Sequence, residues 1–274
     1  MVEKNDYIFE LKKTHFRKLI RIMNPTGGDK KTVVITGVTR GIGRGLLEQL
    51  AKMDQFDKII GICREGSPQL NELKTQFKGS SKVHLFGADV TNLTSLNSIA
   101  SQLKTQNVQP DMVIANAGVF TAPKPVWEIT ESELTENFDT NIKGVLNTMK
   151  TFIPLLKDRK NSVMMTISSD WGTCGHKGFG AHCMSKFAVE GLTQAAGQDT
   201  KTDQITVVSV NPGLVYSNML VEAFGETEAK KIGAPVEKFV PHFVNKMMGI
   251  TKQMNGQHLD FSLEGTTAGR IAGK

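Results

Sequence analysis

One segment of the chain has residue types suited to phosphate chemistry. Thr36-Gly37-Val38-Thr39-Arg40-Gly41-Ile42-Gly43 follows the apolar run KTVVIT and leads into Arg44-Gly45-Leu46-Leu47. A backbone that must lie against a pyrophosphate needs positions without Cβ, and a helix starting there offers unpaired N–H groups and the positive end of its dipole. Gly37, Gly41 and Gly43 suit those tasks, with Thr39, Arg40 and Ile42 filling the turn. Strand-turn-helix context separates the segment from an ordinary glycine loop, and the ligand it implies is a dinucleotide. The next apolar run ends at Cys63-Arg64. A carboxylate there would hold an unmodified adenosine ribose and repel a 2′-phosphate, whereas Arg64, helped by Arg40, can pair with that phosphate. NADP(H) is therefore favoured, with NAD(H) possible. The choice reverses if Arg64 turns to solvent and Glu65 reaches the ribose.

The elements that must position these residues follow from periodicity. From Thr32 onward, short Val- and Ile-rich runs alternate with longer polar-apolar segments, which predicts strand-helix units around a parallel sheet. Strands are expected at Thr32–Ile35, Lys58–Cys63, Val83–Gly87, Met112–Asn116, Ser162–Ser168, Ile205–Val210 and Gln257–Phe261. Helices are expected at Gly43–Met53, Gln69–Gln76, Leu93–Gln106, Glu133–Leu156 and Gly180–Asp199. Right-handed crossovers place these helices on both faces of a doubly wound, Rossmann-like α/β sheet of seven parallel strands. Pro212 and Gly213 open a loose segment through Gly233, where a substrate lid is expected.

Composition bounds the rest. The 274 residues carry 33 basic and 27 acidic side chains, a net charge of +6, with 39% hydrophobic residues. One sizeable core can form, and no apolar run approaches the roughly 18 residues of a membrane span. Residues 1–31 hold eight Lys or Arg and four acids, most of the charge excess, with Ile8, Leu11, Phe16, Leu19 and Met23 near helical spacing. Residues 1–30 thus read as a basic amphipathic extension before a single domain over 31–274. It either packs on that domain or, through residues 1–28, docks on a protein partner or anionic surface; nucleic acid is not expected as a partner. Its four acids and absence of Ser argue against a transit peptide. Cys63, Cys174 and Cys183 lack framework spacing, which suggests a reducing intracellular compartment, the cytoplasm by default, with mitochondria open.

The glycine segment resembles the TGxxxGxG pattern of the short-chain dehydrogenase/reductase family, and further resemblances follow in order. Asp89-Val90 looks like the pair that contacts adenine, and Ala115-Asn116-Ala117-Gly118 resembles the NNAG sequence that supports sheet and cofactor. Asn211-Pro212-Gly213-Leu214-Val215, with Ser217, resembles the segment beside the nicotinamide. The ending Asn255–Phe261 is similar to a strand of the carbonyl-reductase-like, Sniffer-like or C-factor-like branch. The resemblance runs from about Lys31 to Phe261 and implies an oxidoreductase acting on a small carbonyl or alcohol, with a homo-oligomer possible.

By the same resemblance, Ser169, Lys186 and Asn141 match three of the four catalytic positions, with the Ser-to-Lys interval intact. The fourth, a tyrosine in the family, is His182. Only Tyr7 and Tyr216 exist in the chain, and neither restores the YxxxK pattern. The roles implied are Ser169 as hydrogen-bond donor to substrate, His182 as replacement acid/base, Lys186 as ribose holder and electrostatic tuner, and Asn141 as water positioner. An ammonium four residues along a helix disfavours imidazolium, so His182 should be neutral near pH 7, a poorer donor of protons than acceptor. Slow or altered activity follows, and the alternative is a catalytically degenerate nucleotide-binding subunit of a larger assembly. Asp170, His176 and Tyr216 are candidates to compensate. Cys174, His176, His182 and Cys183 do not follow zinc-site spacing, so no metal is expected.

Overall fold

The structure, a computed structural model, describes residues 30–266. Apart from Lys30, the basic extension lies outside the described residues. Seven parallel strands form one sheet: β1 (Lys31–Thr36), β2 (Phe56–Cys63), β3 (Val83–Gly87), β4 (Met112–Ala115), β5 (Ser162–Ile167), β6 (Ile205–Asn211) and β7 (His258–Asp260). Their spatial order is β3-β2-β1-β4-β5-β6-β7. The chain thus winds outward from β1 in one direction, returns to β4 on the other side, and winds outward again. This reversal leaves a crevice between β1 and β4 at the carboxyl ends of the strands, where an open α/β sheet binds ligands.

β1, β4, β5 and β6 are almost wholly buried, which explains their unbroken apolar runs: each has helices over both faces. One face packs Val33, Ile35 and Ile59 against Leu46, Leu47 and Leu50 of α1 (Gly41–Ala51) and Phe239, Phe243 and Met247 of α9 (Val236–Met248). The other packs Val34, Ile60 and Val113 against Leu96 and Leu103 of α3 (Leu93–Thr105) and Met149 and Phe152 of α5 (Gly144–Leu156), with Val189 of α6 (Gly180–Asp199). α2 (Pro68–Gln76) contributes Leu70 and Leu73 to the first face.

Two segments differ from the sequence expectation. The helix expected over Glu133–Leu156 is divided into α4 (Glu131–Asn137), a π-helical turn at Phe138–Lys143, and α5. Its start lies earlier because Thr130 and Glu133 form a reciprocal capping box, and the wider turn places Asn141 in the interior. The segment after Pro212 holds two short helices, α7 (Asn218–Phe224) and α8 (Glu226–Ile232), followed by α9. No helix was expected at α9, where Pro235 precedes the first turn and Pro241 lies within. Its apolar Val236, Phe239, Val240, Phe243, Val244 and Met247 nevertheless recur at helical spacing. No helix among the described residues is long and apolar enough to cross a membrane.

Candidate active site

At the β1–β4 crevice the cradle is built from positions that exclude side chains. Gly37 has φ +74°, and a Cβ there would lie 2.8 Å from the Ala117 Cα. At Gly43 a Cβ would come 2.2 Å from the Gly37 carbonyl oxygen, so only glycine lets the helix start pass under the turn. Asn116 fastens the turn to β4: its Nδ2 donates to Thr36 O at 2.9 Å and Gly37 O at 3.1 Å. Thr36 Oγ1 accepts the backbone N–H groups of Asn116 and Ala117 at 3.0 and 3.1 Å.

This cradle fits a dinucleotide phosphate. Arg40 gives α1 no side-chain cap, as is also the case at the starts of α6, α8 and α9, but only the start of α1 opens onto the glycine turn. The first N–H groups of α1 are left for an external acceptor. A Cβ at Gly41 would meet only the Ser217 Cβ, at 3.6 Å, so this edge is open. Arg40 and Arg64 both line the cleft. Glu65 does not: its side chain leans over Gly87 at the end of β3, where a Cβ would approach the Glu65 Cβ to 2.9 Å. The alternative in which Glu65 replaces Arg64 at the ribose thus has no support in this conformation.

A single cleft of about 280 Å³ runs from this cradle past the ends of β4, β5 and β6. It is lined by Gly37, Thr39, Arg40, Gly41, Ile42, Arg64, Asp89, Val90, Asn116, Ala117 and Gly118, and farther along by Ser169, His182, Lys186, Pro212, Gly213, Val215 and Ser217. Gly43 and Asn141, also expected in the site, stand behind its wall. Asn141 is 1% exposed; its Nδ2 donates to Val119 O, Asn137 Oδ1 and Ser185 Oγ at 3.0, 3.0 and 3.2 Å, and its Oδ1 accepts from Val119 N at 2.8 Å. Its amide clamps the π turn to the strand-end loop.

Ser169 Oγ accepts the Trp171 N–H at 3.2 Å, which leaves its own proton free to donate. Lys186 Nζ donates to Ile167 O at 2.7 Å at the end of β5. Burial lowers the Lys186 ammonium to about 8, with Glu190 opposing. Burial also drives the His182 imidazole down to about 3, with Lys186 adding to the effect. The sequence argument gives the right direction but credits Lys186 first, when loss of water around a 7% exposed ring is the larger cause. His182 Nδ1 is buried and has no hydrogen-bond partner among the described residues.

None of the three candidates for compensation lines the cleft. Tyr216 lies outside the cleft lining and donates its phenol proton to Glu226 Oε1 at 2.7 Å. His176 stacks on Trp171 with centroids 4.6 Å apart, and Asp170 accepts from Asn211 Nδ2 at 2.5 Å. No group of three His, Cys, Asp or Glu among the described residues is placed to hold a metal ion.

The model of the short chain dehydrogenase family matches residues 31–228. The chain belongs to that family. Among curated relatives of this short-chain dehydrogenase is an NADPH-dependent pterin aldehyde reductase from Arabidopsis thaliana, 34% identical over 197 residues, which span 72% of this chain and 80% of that protein. A benzil reductase from Bacillus cereus is 29% identical over 192 residues, 68% of this chain and 76% of that one. Among solved structures, an NADPH-bound carbonyl reductase from chicken fatty liver superposes with a TM-score of 0.76 at 20% identity, covering 88% of this chain and 99% of its own. The carbonyl reductase Sniffer of D. melanogaster gives 0.75 at 21% identity, covering 87% and 99%. These two establish the shared fold.

Sequence reasoning puts Trp171 and the segment 214–233 beside the substrate but misses Phe120 in the distal wall. Phe120 lies 5.5 Å from His182 and 5.9 Å from Phe179 between ring centroids, and Trp171 meets His182 edge-on at 5.8 Å. Phe224 of α7 closes on Trp171 and Phe179 at 6.5 and 5.5 Å. In this short-chain dehydrogenase the segment expected as a loose lid therefore delivers an aromatic side chain. No local pattern marks Phe120 and Phe224, which come together only through the fold.

Proposed function

We propose that this chain is an NADP(H)-dependent oxidoreductase of a small carbonyl compound or alcohol, with NADP(H) favoured and NAD(H) possible, and with slow or altered proton transfer. The observation that carries this reading is one continuous cleft. It has the uncapped start of α1 and two arginines at one end, and Ser169, His182 and Lys186 at the other. The Arabidopsis relative, named for NADPH and a pterin aldehyde, supports both the phosphate-bearing coenzyme and a flat aromatic substrate among Phe120, Trp171 and Phe224.

When bound, the nicotinamide supplies or accepts the hydride. Lys186 spends one donor on Ile167 O and retains two for a ribose. Ser169 directs its remaining proton to the substrate oxygen. His182 then determines how readily the proton moves. A phenol with a reference value of about 10 becomes a useful acid beside an ammonium, whereas a buried neutral imidazole holds its N–H too firmly to give it up. Accepting a proton from an alcohol suits it better, but burial opposes the imidazolium that would form. Turnover is therefore slow in both directions and less so in oxidation. That penalty also favours a second reading, a nucleotide-binding subunit without appreciable turnover.

The test is coenzyme binding together with a panel of aromatic aldehydes and alcohols followed by nicotinamide absorbance. NADPH should bind more tightly than NADH. His182→Tyr should raise turnover by at least an order of magnitude, since losing or misplacing a positioned catalytic group costs about a hundredfold. Coenzyme binding with no turnover in either protein supports the second reading, and absence of binding overturns both.

A further inference from the structure

The hydrogen-bond ladder between β5 and β6 ends just short of the reactive side chains. Its pairs run from Ser162 and Ile205 to Ile167 and Val210, and the Ser168 N–H still reaches Val210 O at 2.8 Å. Ser169 lies one residue beyond. Across this gap side chains take over: Asn211, the last residue of β6 and only 1% exposed, donates its Nδ2 to Asp170 Oδ1 at 2.5 Å. The same nitrogen donates to Asp260 Oδ1 of β7 at 3.2 Å. Asn211 Oδ1 accepts the Gly213 N–H at 2.9 Å, which folds the chain into the Pro212–Gly213 turn, where Gly213 has φ +66°.

An asparagine amide offers two N–H hydrogens and one carbonyl oxygen, and here two carboxylates and one N–H meet them. Breaking any of these bonds strands a buried polar group, so the hub fixes its neighbours. Two of its arms bear on the cleft. Asp170 opens the short turn Asp170–Gly172, which Ser169 caps by accepting the Trp171 N–H at 3.2 Å. Pro212 and Gly213 line the cleft, as does Ser169. The third arm serves the edge strand: Asp260 lies outside the cleft lining, and its Oδ1 also accepts the Ser262 N–H at 2.9 Å.

We propose that Asn211 is a positioning residue, whose carboxamide carries the strand register past the end of the β5–β6 ladder and so sets Ser169, through Asp170, against the Pro212–Gly213 turn. Its purpose rests on the oxidoreductase reading above. Ser169 must hold the substrate oxygen while the nicotinamide lies beside Pro212 and Gly213, and a displacement of about 1 Å between the two costs about a hundredfold in rate. The bond network itself concerns the chain alone.

The test uses the full chain carrying Trp127→Phe, which removes the 82% exposed tryptophan and leaves Trp171, 5% exposed and two residues from Ser169, as the single reporter. Asn211→Asp keeps an acceptor for Gly213 and sets a carboxylate against Asp170 and Asp260. Trp171 emission should move to longer wavelength as the turn is pushed away. For a carbonyl that the wild-type chain reduces, kcat should fall by about a hundredfold, with NADPH affinity, set at the glycine cradle, largely kept. Adding Asp170→Asn or Asp260→Asn relieves one carboxylate pair in each case, so both double variants should regain similar stability to urea. Only the one with Asp170→Asn, in which donor and acceptor exchange places, should regain the Trp171 emission and kcat. Both retain the charge at position 211, so a direct effect of that charge on the cleft cannot imitate the difference. Rescue by Asp260→Asn, rescue by neither, or emission unmoved by Asn211→Asp overturns the proposal. Asn211→Ser, too short to reach Asp170, serves if the charged variant does not fold; the same red shift is expected, and its absence is equally fatal. Failure of the wild-type chain to bind NADPH overturns the function reading, and Trp171 emission still decides this one.

Discussion

Acidification should destabilise this protein through His182 before the carboxylates titrate. The folded state holds the ring neutral down to about pH 3, while the unfolded chain protonates it from about 6.5 downward. Depressed in the native state, His182 contributes stability that is present above the unfolded value and lost as pH falls toward the folded one. Each pH unit inside that window costs about 1.4 kcal/mol, so moving from about pH 7 to about pH 5 should remove roughly 2 kcal/mol. His258 works in the opposite sense. Its value is raised chiefly by the bond to Glu190, so its contribution is full at low pH and is lost as pH rises through its folded value. The raw pH slope mixes the two, and His182→Phe separates them by placing an untitratable ring between Phe120 and Trp171. Urea unfolding followed by tryptophan fluorescence at both pH values gives the difference between wild type and variant. That difference should shift by about 2 kcal/mol in favour of the variant at the lower pH. A difference that stays constant would mean that the native ring titrates normally, and the argument from burial would be refuted.

Other perturbations probe the remaining parts. Arg64→Glu should weaken NADPH by at least tenfold, through loss of a charge-assisted contact and added repulsion, while sparing NADH; calorimetric titration of both checks it. Gly43→Ala forces a Cβ against the Gly37 carbonyl, which is backbone and cannot swing aside. Coenzyme binding should be lost, with stability falling by about 1–3 kcal/mol in chemical denaturation. Tyr216→Phe should leave turnover unchanged, because its hydroxyl is committed to Glu226 outside the cleft; a marked loss would make Tyr216 a source of the missing phenol.

The strands were legible because burial on both faces demands consecutive Val and Ile, as in Val33-Val34-Ile35 and Val207-Val208. The cradle was legible because its requirement is the absence of Cβ, which glycine alone meets in the context of a strand running into a helix. The π turn was hidden: one extra residue around Asn141 barely disturbs an apolar period that continues from α4 into α5. α9 carried a clear apolar period that its two prolines obscured, although Pro235 sits where a helix tolerates it, just before the first turn. The meeting of Phe120 with Phe224 across the cleft and the Glu190–His258 pair were invisible for another reason. Their members are 68 residues apart in the pair and about a hundred between Phe120 and Phe224, so only the sheet brings them together.

The Asn116 amide ties the glycine turn to β4 through carbonyls that belong to the protein itself, so the mouth of the crevice has its shape before anything enters. Little ordering is left for a ligand to impose there, and less of its binding energy is consumed by reorganisation. The phosphate cradle between β1 and β4 and the His182 ring on α6 also come from different stretches of chain. A lineage, or an engineer, can thus rewrite His182 while the cradle for the phosphates stays as it was.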